Sequence, residues 1–323
     1  MSDSAETTTM TAFTHGQGQA LRPNRLIVPA PGEGQVRLRT RAVSFNNADL
    51  EGGDPGQIGG YEFSGDVEAV GAGVDKALVG RHVMGTTIGA FAEHVLAHHR
   101  HVIEIPSAVS YADAAALPTA LLTEHGALTA GGFQPGATVL ITAGTSSIGL
   151  VGIQIAKALG AAMVIATTRS AQREAFLRDA GADLTIATDD TDLVDGVLRA
   201  TNGSGADVTL DHVGGQTLSD ALAAAALGGT VVNVGRLAGS TAEVDLSVLW
   251  RRQVALRAVS YGFSDPETIG RILDGLADAV LPAVADGRIK AVIDRILPFE
   301  DAQAGLDRLA EGTTQGKVVL TLP

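Results

Sequence analysis

Apolar and polar positions alternate over short stretches in the first third of the chain. Val36–Arg41 reads VRLRTR, and Asp66–Val70, His82–Met84 and Phe91–Val95 are similar runs. The pairs Gly52–Gly53 and Gly59–Gly60 punctuate them. Alternation with period two puts one set of side chains on a buried face, and glycine pairs mark turns. Residues 10–105 are therefore predicted to form a small antiparallel barrel or sandwich of short strands.

The texture changes near Ser110. SYADAAALPTALLTEHGAL reads as helix, with Ser110 as its cap and a break at Pro118. A strand at Thr138–Thr142, a Gly/Ser turn and a helix at Leu150–Leu159 follow. Then come a strand at Met163–Thr167, a helix at Ala171–Ala180 closed by Gly181, a strand at Leu184–Ala187 and a helix over 191–200. The strand Asp207–Asp211, the helix Leu218–Ala226 and the strand Gly229–Val234 end the series. Strands alternating with helices predict parallel βαβ units in a doubly wound sheet. Residues 264–287 read as one or two further helices. Strand character returns at Val292–Leu297 and Lys317–Leu322, on either side of a helix near Phe299–Ala310.

Composition narrows the function. A chain of 323 residues suggests two domains. The net charge of −13, with only four lysines (Lys76, Lys157, Lys290, Lys317) and no basic run, disfavours nucleic acid as a partner. Cysteine is absent, which removes disulfides, thiolate nucleophiles, iron–sulfur clusters and Cys-based zinc sites. No apolar run reaches the ~18 residues of a membrane span. The start, MSDSAETTTM, is polar and acidic, unlike a signal peptide. Residues 1–9 read as a flexible tail, and the expected location is the cytoplasm.

The strongest chemical signal is Thr142–Gly149, TAGTSSIG, between an apolar strand and a helix. Backbone N–H groups at a helix N-terminus bind pyrophosphate, and small residues let it approach. The familiar G-x-G-x-x-G spacing is replaced by Ala143-x-x-Ser146-x-x-Gly149, in which Ser146 and Ser147 add hydroxyl donors beside Ile148. The other reading is an ordinary glycine- and serine-capped helix start. NAD-binding proteins place an acid about 20 residues on, to hold the ribose. Here Thr168-Arg169-Ser170 stands there, with Arg173 one helical turn later. A guanidinium among hydroxyls suits a 2′-phosphate, so NADPH is the expected cofactor.

From here the chain resembles the medium-chain dehydrogenases/reductases, in particular the zinc-free quinone oxidoreductases and enoyl reductases. The resemblance rests on Phe45-Asn46-Asn47-Ala48-Asp49, Gly60-Tyr61-Glu62-Phe63-Ser64-Gly65, Gly89–Glu93, the nucleotide turn, Asp211–Gly215 and Gly316–Val319, in that order. It implies a GroES-like catalytic domain of residues 10–112 and 287–323, with a Rossmann NADP-binding domain at 113–286 inserted into it. Homodimers are common in the family. Zinc-using relatives carry Gly-His-Glu where this chain has Gly60-Tyr61-Glu62, so no metal is expected. The run His98-His99-Arg100-His101 reads as a loop.

Without a metal, the charge that develops on the substrate oxygen needs hydrogen-bond donors. An enone, enoyl group or quinone spreads that charge best, and the short Leu50–Gly59 segment suggests room for a polyketide-like substrate. Asn46 or Asn47 is the expected substrate-positioning donor, or else both stabilise their loop. Tyr61 is either a donor or general acid, or a packed aromatic. Tyr261 and Phe263 are candidates for the substrate pocket. The resemblance adds Thr123, Gly235 and Lys317 as cofactor contacts. A zinc-free alcohol dehydrogenase and a non-catalytic NADPH-binding protein are the alternatives.

Overall fold

The computed structural model describes residues 8–17 and 20–323. The chain divides into two compact units, one of residues up to Thr119 together with Ala291–Pro323, the other Ala120–Lys290. The elements in chain order are β1 (Thr9–His15), β2 (Leu21–Ile27), β3 (Gln35–Ser44), β4 (Glu62–Val70), β5 (His82–Thr86), β6 (His94–His98), β7 (Val102–Glu104), α1 (Tyr111–Ala115) and α2 (Pro118–Ala130). Next come β8 (Thr138–Ile141), α3 (Ser147–Ala158), β9 (Met163–Thr168), α4 (Glu174–Asp179), β10 (Leu184–Ala187), α5 (Leu193–Ala200), β11 (Ala206–Asp211), α6 (Gly215–Ala224) and β12 (Ala225–Asn233). The series ends with α7 (Leu246–Arg252), β13 (Ala255–Ala258), α8 (Pro266–Asp274), α9 (Val280–Ala285), β14 (Ile293–Pro298), α10 (Ala302–Ala310) and β15 (Lys317–Thr321).

In the first unit, β14-β15-β3-β4-β5-β7 form one sheet, with β6 also on β3. The pairs are antiparallel except β14 with β15, which run parallel. Strand β3 carries most of it because alternation runs from Gln35 to Ala42 and Val43 and Ser44 are buried after it, beyond the expected Val36–Arg41. The β1–β2 hairpin packs its buried face, Met10, Ala12, Phe13 and Leu21, into the same core as Phe45, Phe63 and Phe91. Phe13 and Phe299 meet edge to face, with ring centroids 5.1 Å apart. Two expectations change here. Thr9, assigned to the tail, opens β1; Met1–Thr7, the rest of that segment but for Thr8, lies outside the described residues. The Phe91–Val95 strand shifts to His94–His98, because Phe91 and Glu93 spend backbone bonds on β1.

The second unit is the parallel sheet the alternation predicts, in the order β10-β9-β8-β11-β12-β13. The order reverses between β8 and β11, and ligands bind at the carboxyl ends of strands at such a point. Strand cores are buried on both faces, as at Val139–Ile141 and Val164–Ala166. Helix α3 starts at Ser147 rather than Leu150, since the Ser146 side chain caps it. The predicted helix at Ala171–Ala180 is a short 3-10 turn, Ala171–Arg173, followed by α4.

Candidate active site

The nucleotide turn is held down by β9. The Ala143 N–H donates to Thr167 Oγ1 at 3.1 Å, and the Gly144 N–H to the Thr167 carbonyl at 2.8 Å. Ala143 adopts φ +46°, a left-handed conformation costly for a residue with a Cβ. Ser146 Oγ accepts the Gly149 N–H at 3.1 Å. The N–H groups of Ser147 and Ile148 have no backbone partner among the described residues, so the start of α3 keeps its donors and its positive dipole end. A Cβ at Gly149 would lie 2.9 Å from both the Ala143 carbonyl oxygen and Ser146 Oγ. Only glycine leaves that turn closed.

At the end of β9, Thr168 is buried, Arg169 is exposed and Arg173 is half-buried. Ser170 caps the following turn, accepting the Gln172 N–H at 3.3 Å. Neither guanidinium has an ion pair or hydrogen bond among the described residues. The Asp189 N–H sits on the Arg169 carbonyl at 3.1 Å, without an ion pair to the side chain. These residues fit a 2′-phosphorylated dinucleotide. The open N–H groups at the start of α3 suit the charge of a pyrophosphate, and the two uncommitted cations after β9 suit that of a further phosphate.

Beneath the switch point is a buried ionic cluster that sequence reasoning did not find. His212 Nε2 meets Glu124 Oε1 at 2.7 Å, and His212 Nδ1 meets the Thr142 carbonyl oxygen at 2.9 Å. A carbonyl only accepts, so Nδ1 carries a proton. Burial opposes charge on the ring, but the Glu124 carboxylate, the Thr142 carbonyl and Asp211 outweigh it and raise the imidazole pKa. Thr142 Oγ1 accepts the His212 N–H at 2.9 Å and donates to Asp211 Oδ1 at 3.1 Å. Asp211 also accepts the Gly214 N–H and, at 2.9 Å, Asn233 Nδ2. Glu124 Oε2 has no hydrogen-bond partner among the described residues and lies over α3, where a Cβ at Gly152 would come within 2.2 Å of it.

The other predicted residues of this unit lie around that cluster. Thr123 is half-buried on α2. Gly235 follows β12, and its N–H donates to the Asp211 carbonyl at 3.1 Å; a Cβ there would come within 2.4 Å of the His212 carbonyl oxygen. The Tyr261 hydroxyl fits over Gly126, where a Cβ would be 2.3 Å away. Burial, with the Glu124 charge, pushes its pKa up to about 12, so Tyr261 stays a neutral phenol. The side chain of Phe263 lies outside the described residues.

In the first unit, Glu62 is the hub of a second buried network. Its Oε1 accepts from Lys317 Nζ at 2.5 Å, Ser44 Oγ at 2.5 Å and Asn46 Nδ2 at 2.9 Å, and its Oε2 accepts the Thr119 N–H at 2.8 Å. Lys317 Nζ also donates to Asn46 Oδ1 at 2.6 Å and to the Phe45 carbonyl at 3.2 Å. All three ammonium donors are spent, and the residue is 2% exposed. The expected cofactor contact at Lys317 therefore gives way to a structural ion pair. Asn46 is committed at both ends of its amide and holds its loop, whereas Asn47 is exposed and its side chain makes no hydrogen bond among the described residues.

Asp49 closes the turn by accepting the Asn46 N–H at 2.7 Å. Burial pushes its pKa up to about 7, against the Asn46 and Gly60 N–H groups and the Lys317 charge, while Glu62 adds to the rise. Tyr61 is half-buried beside it, and burial followed by the charges of Asp49 and Glu51 raises its pKa. Tyr61 lines a small cavity of about 30 Å³ with His15, Gly52, Gly53, Gln57, Ile58, Gly59, Gly60 and Ile88. His15, on the hairpin that carried no chemical motif, was not foreseen. The run at 98–101 is a turn in which His98 accepts the Arg100 N–H. Among the described residues, no three His, Asp or Glu side chains gather into a metal-binding set. The donors around Tyr61 do not suit zinc, because the phenol is neutral and Glu62 is saturated by four donors.

Comparison with known proteins agrees with this architecture. Residues 32–107 match the alcohol dehydrogenase GroES-like domain, and residues 147–278 match the family described as zinc-binding dehydrogenase. The chain is 30% identical over 269 residues to quinone oxidoreductase-like protein 2 of Bos taurus, covering 81% of this chain and 76% of that protein. It is 31% identical over 311 residues to the phthioceranic/hydroxyphthioceranic acid synthase of Mycobacterium tuberculosis (strain H37Rv), covering 91% of this chain but 14% of that synthase. A mycobacterial quinone oxidoreductase superposes with TM-score 0.86 at 28% identity, covering 98% of this chain and 100% of that one. A mycobacterial protein solved in complex with NADPH superposes with TM-score 0.82 at 29% identity, covering 97% of this chain and 100% of that one.

Proposed function

The chain belongs to the medium-chain dehydrogenase/reductase superfamily as a quinone oxidoreductase-like member, and on that premise we propose that it is an NADPH-dependent, zinc-independent enzyme reducing an activated C=C bond or a quinone. Its membership makes it an oxidoreductase of a nicotinamide-binding family. The observation that carries the NADPH reading is the pair of uncommitted guanidiniums, Arg169 and Arg173, beside the open N-terminus of α3. The mycobacterial relative with bound NADPH supports it.

When bound, the reduced nicotinamide supplies the hydride. The chain does the rest. The N–H groups of Ser147 and Ile148 hold the pyrophosphate, with the Ser146 and Ser147 hydroxyls beside them. Arg169, Arg173 and Ser170 hold the 2′-phosphate. Thr123 and Gly235 border the cofactor, and Tyr261 borders the substrate. Tyr61, kept neutral, donates a hydrogen bond to the oxygen on which charge develops. Asn46 positions that turn through Glu62 and Lys317. The quinone oxidoreductase-like relative favours a quinone; the synthase relative favours an enoyl group in polyketide assembly.

Two assays test the reading. Arg169→Asp is expected to weaken NADPH by roughly 30-fold or more in calorimetry, with NADH changed by less than about threefold. Equal losses would remove the 2′-phosphate role. NADPH oxidation with enone, enoyl-thioester and quinone panels then names the acceptor; tight NADPH binding with no turnover on any of them would turn the reading to a non-catalytic binder.

We also propose a homodimer acting in the cytoplasm. Strand β13 is a sheet edge with all four residues exposed, beside α7, which exposes Trp250 (80%) and Leu246 (73%). An exposed edge next to apolar side chains is a template for a second copy. Light scattering should find a dimer that Trp250→Glu dissociates. Among the described residues no helix is long and apolar enough to cross a membrane.

A further inference from the structure

Thr142 follows β8 and is fully buried, and its polar groups all go to three consecutive residues at the end of β11. Its N–H donates to the Leu210 carbonyl at 3.0 Å. Its Oγ1 donates to Asp211 Oδ1 at 3.1 Å and accepts the His212 N–H at 2.9 Å. Its carbonyl accepts His212 Nδ1–H at 2.9 Å. That last bond lands on the peptide joining Thr142 to Ala143. The N–H of the same peptide donates to Thr167 Oγ1 at 3.1 Å. One peptide plane is thus gripped on its oxygen from the β11 side and on its nitrogen from the β9 side.

The residue after this peptide is the strained one. Ala143, at φ +46°, is the only residue of Thr142–Gly149 with a positive φ, so it sets the direction in which the chain leaves β8 for α3. A left-handed alanine persists only where its surroundings over-determine it. The ring can serve as such a support because it is itself fixed. His212 Nε2 meets Glu124 Oε1 at 2.7 Å, with the two side chains 2% and 0% exposed. An acceptor at each ring nitrogen leaves one orientation, since turning the ring over would aim C–H groups at both. Burial opposes a charged ring, but the Glu124 carboxylate outweighs it and raises the imidazole pKa, so Nδ1 keeps its proton.

We propose that His212 is a positioning residue for the cofactor: anchored by Glu124, its Nδ1–H grips the Thr142 carbonyl and holds Ala143 in the left-handed conformation that turns the chain into α3. The inference rests on the dinucleotide reading of that turn. It adds a residue that acts through Thr142 rather than by contact with the cofactor. Without the grip, Ala143 relaxes toward an ordinary negative φ and the start of α3 is displaced. The binding-competent fraction then falls, and the apparent affinity falls by the same factor.

The two amide side chains separate the two ring nitrogens. Asparagine puts an N–H donor near the imidazole Nδ1 position, and glutamine puts one near Nε2. Both are made in the Glu124→Gln background, which strands no charge. There His212→Gln should weaken NADPH by roughly tenfold in calorimetry, and His212→Asn by less than about threefold. With Ala143→Gly added, where a left-handed φ is unstrained, the His212→Gln loss should shrink to less than about threefold. Equal affinities of the two His212 variants, or a loss that Ala143→Gly leaves intact, overturn the proposal, while NADPH binding by wild type keeps the cofactor reading standing. A second readout needs neither cofactor nor variant. In NMR of the cofactor-free wild type, Ala143 should show the strong intraresidue amide-to-Hα NOE of a positive φ, and His212 Nδ1 should be protonated in the 15N spectrum. A bare Nδ1 or a missing NOE overturns the grip even if NADPH binds. Wild type that binds no NADPH removes the dinucleotide reading and, with it, the cofactor role of His212, whatever the NMR shows.

Discussion

Lys317 and Arg169 carry the same charge and were expected to serve the same cofactor, yet the two sites are opposites. Lys317 is enclosed, with its ammonium divided among Glu62, Asn46 and the Phe45 carbonyl. Arg169 is exposed at the end of β9 and makes no ion pair among the described residues. A buried charge must be paired at once, because desolvation makes an unpaired one intolerable; an exposed cation can wait for a ligand. Whether a cation is spent within the fold or left uncommitted is therefore decided by its set of acceptors, not by its charge or its place in a motif.

The sharpest way to break this contrast is Lys317→Met. It strands the Glu62 carboxylate and should cost about 3–5 kcal/mol in chemical denaturation, with the NADPH-to-NADH preference unchanged. A lost preference with full stability would put Lys317 back among the cofactor contacts.

The same buried turn gives a pH signature. Asp49 ionises at about 7 in the fold, well above the ordinary 3.8 of a free carboxyl, so the fold binds its proton more tightly than the unfolded chain. Wild-type stability should fall as pH rises from about 4 to 7, by on the order of 3–4 kcal/mol, and level off above that. Asp49→Asn should lack this slope; identical slopes in denaturation series would refute the assignment.

Glu124→Gln removes the charge facing His212 while keeping its shape, and about 2 kcal/mol should be lost near pH 6. A raised imidazole pKa stabilises fully below its ordinary 6.5 and loses that contribution as pH climbs through the folded value. The gap between variant and wild type should narrow on the alkaline side. The smallest expected effect is on the exposed side of the contrast. Arg173→Ala should weaken NADPH by about 1 kcal/mol in calorimetry, with stability unchanged and the loss shrinking in high salt.

Much of this could be read along the chain. Periodicity predicts the parallel sheet, and TAGTSSIG marks the turn from β8 into α3, because those signals are local. The β1–β2 hairpin was not resolved into its strands, since Leu21–Ile27 is exposed over most of its length and lacks clean alternation. His15 packs against a loop some forty residues away, which no spacing rule reaches. The Glu124–His212 pair spans 88 residues. One signal did point to it. Helix α2 is apolar on nearly every face, so an acid inside LLTEHGAL had to find a buried partner.

The contact between Glu124 and Gly152 limits how this protein can drift. Any side chain at 152 would collide with the carboxylate of 124, and loss of that carboxylate leaves the ring at 212 without its counter-charge. A side chain at 152 therefore needs the carboxylate of 124 to move or go, and a change at 124 is felt at once by the ring at 212.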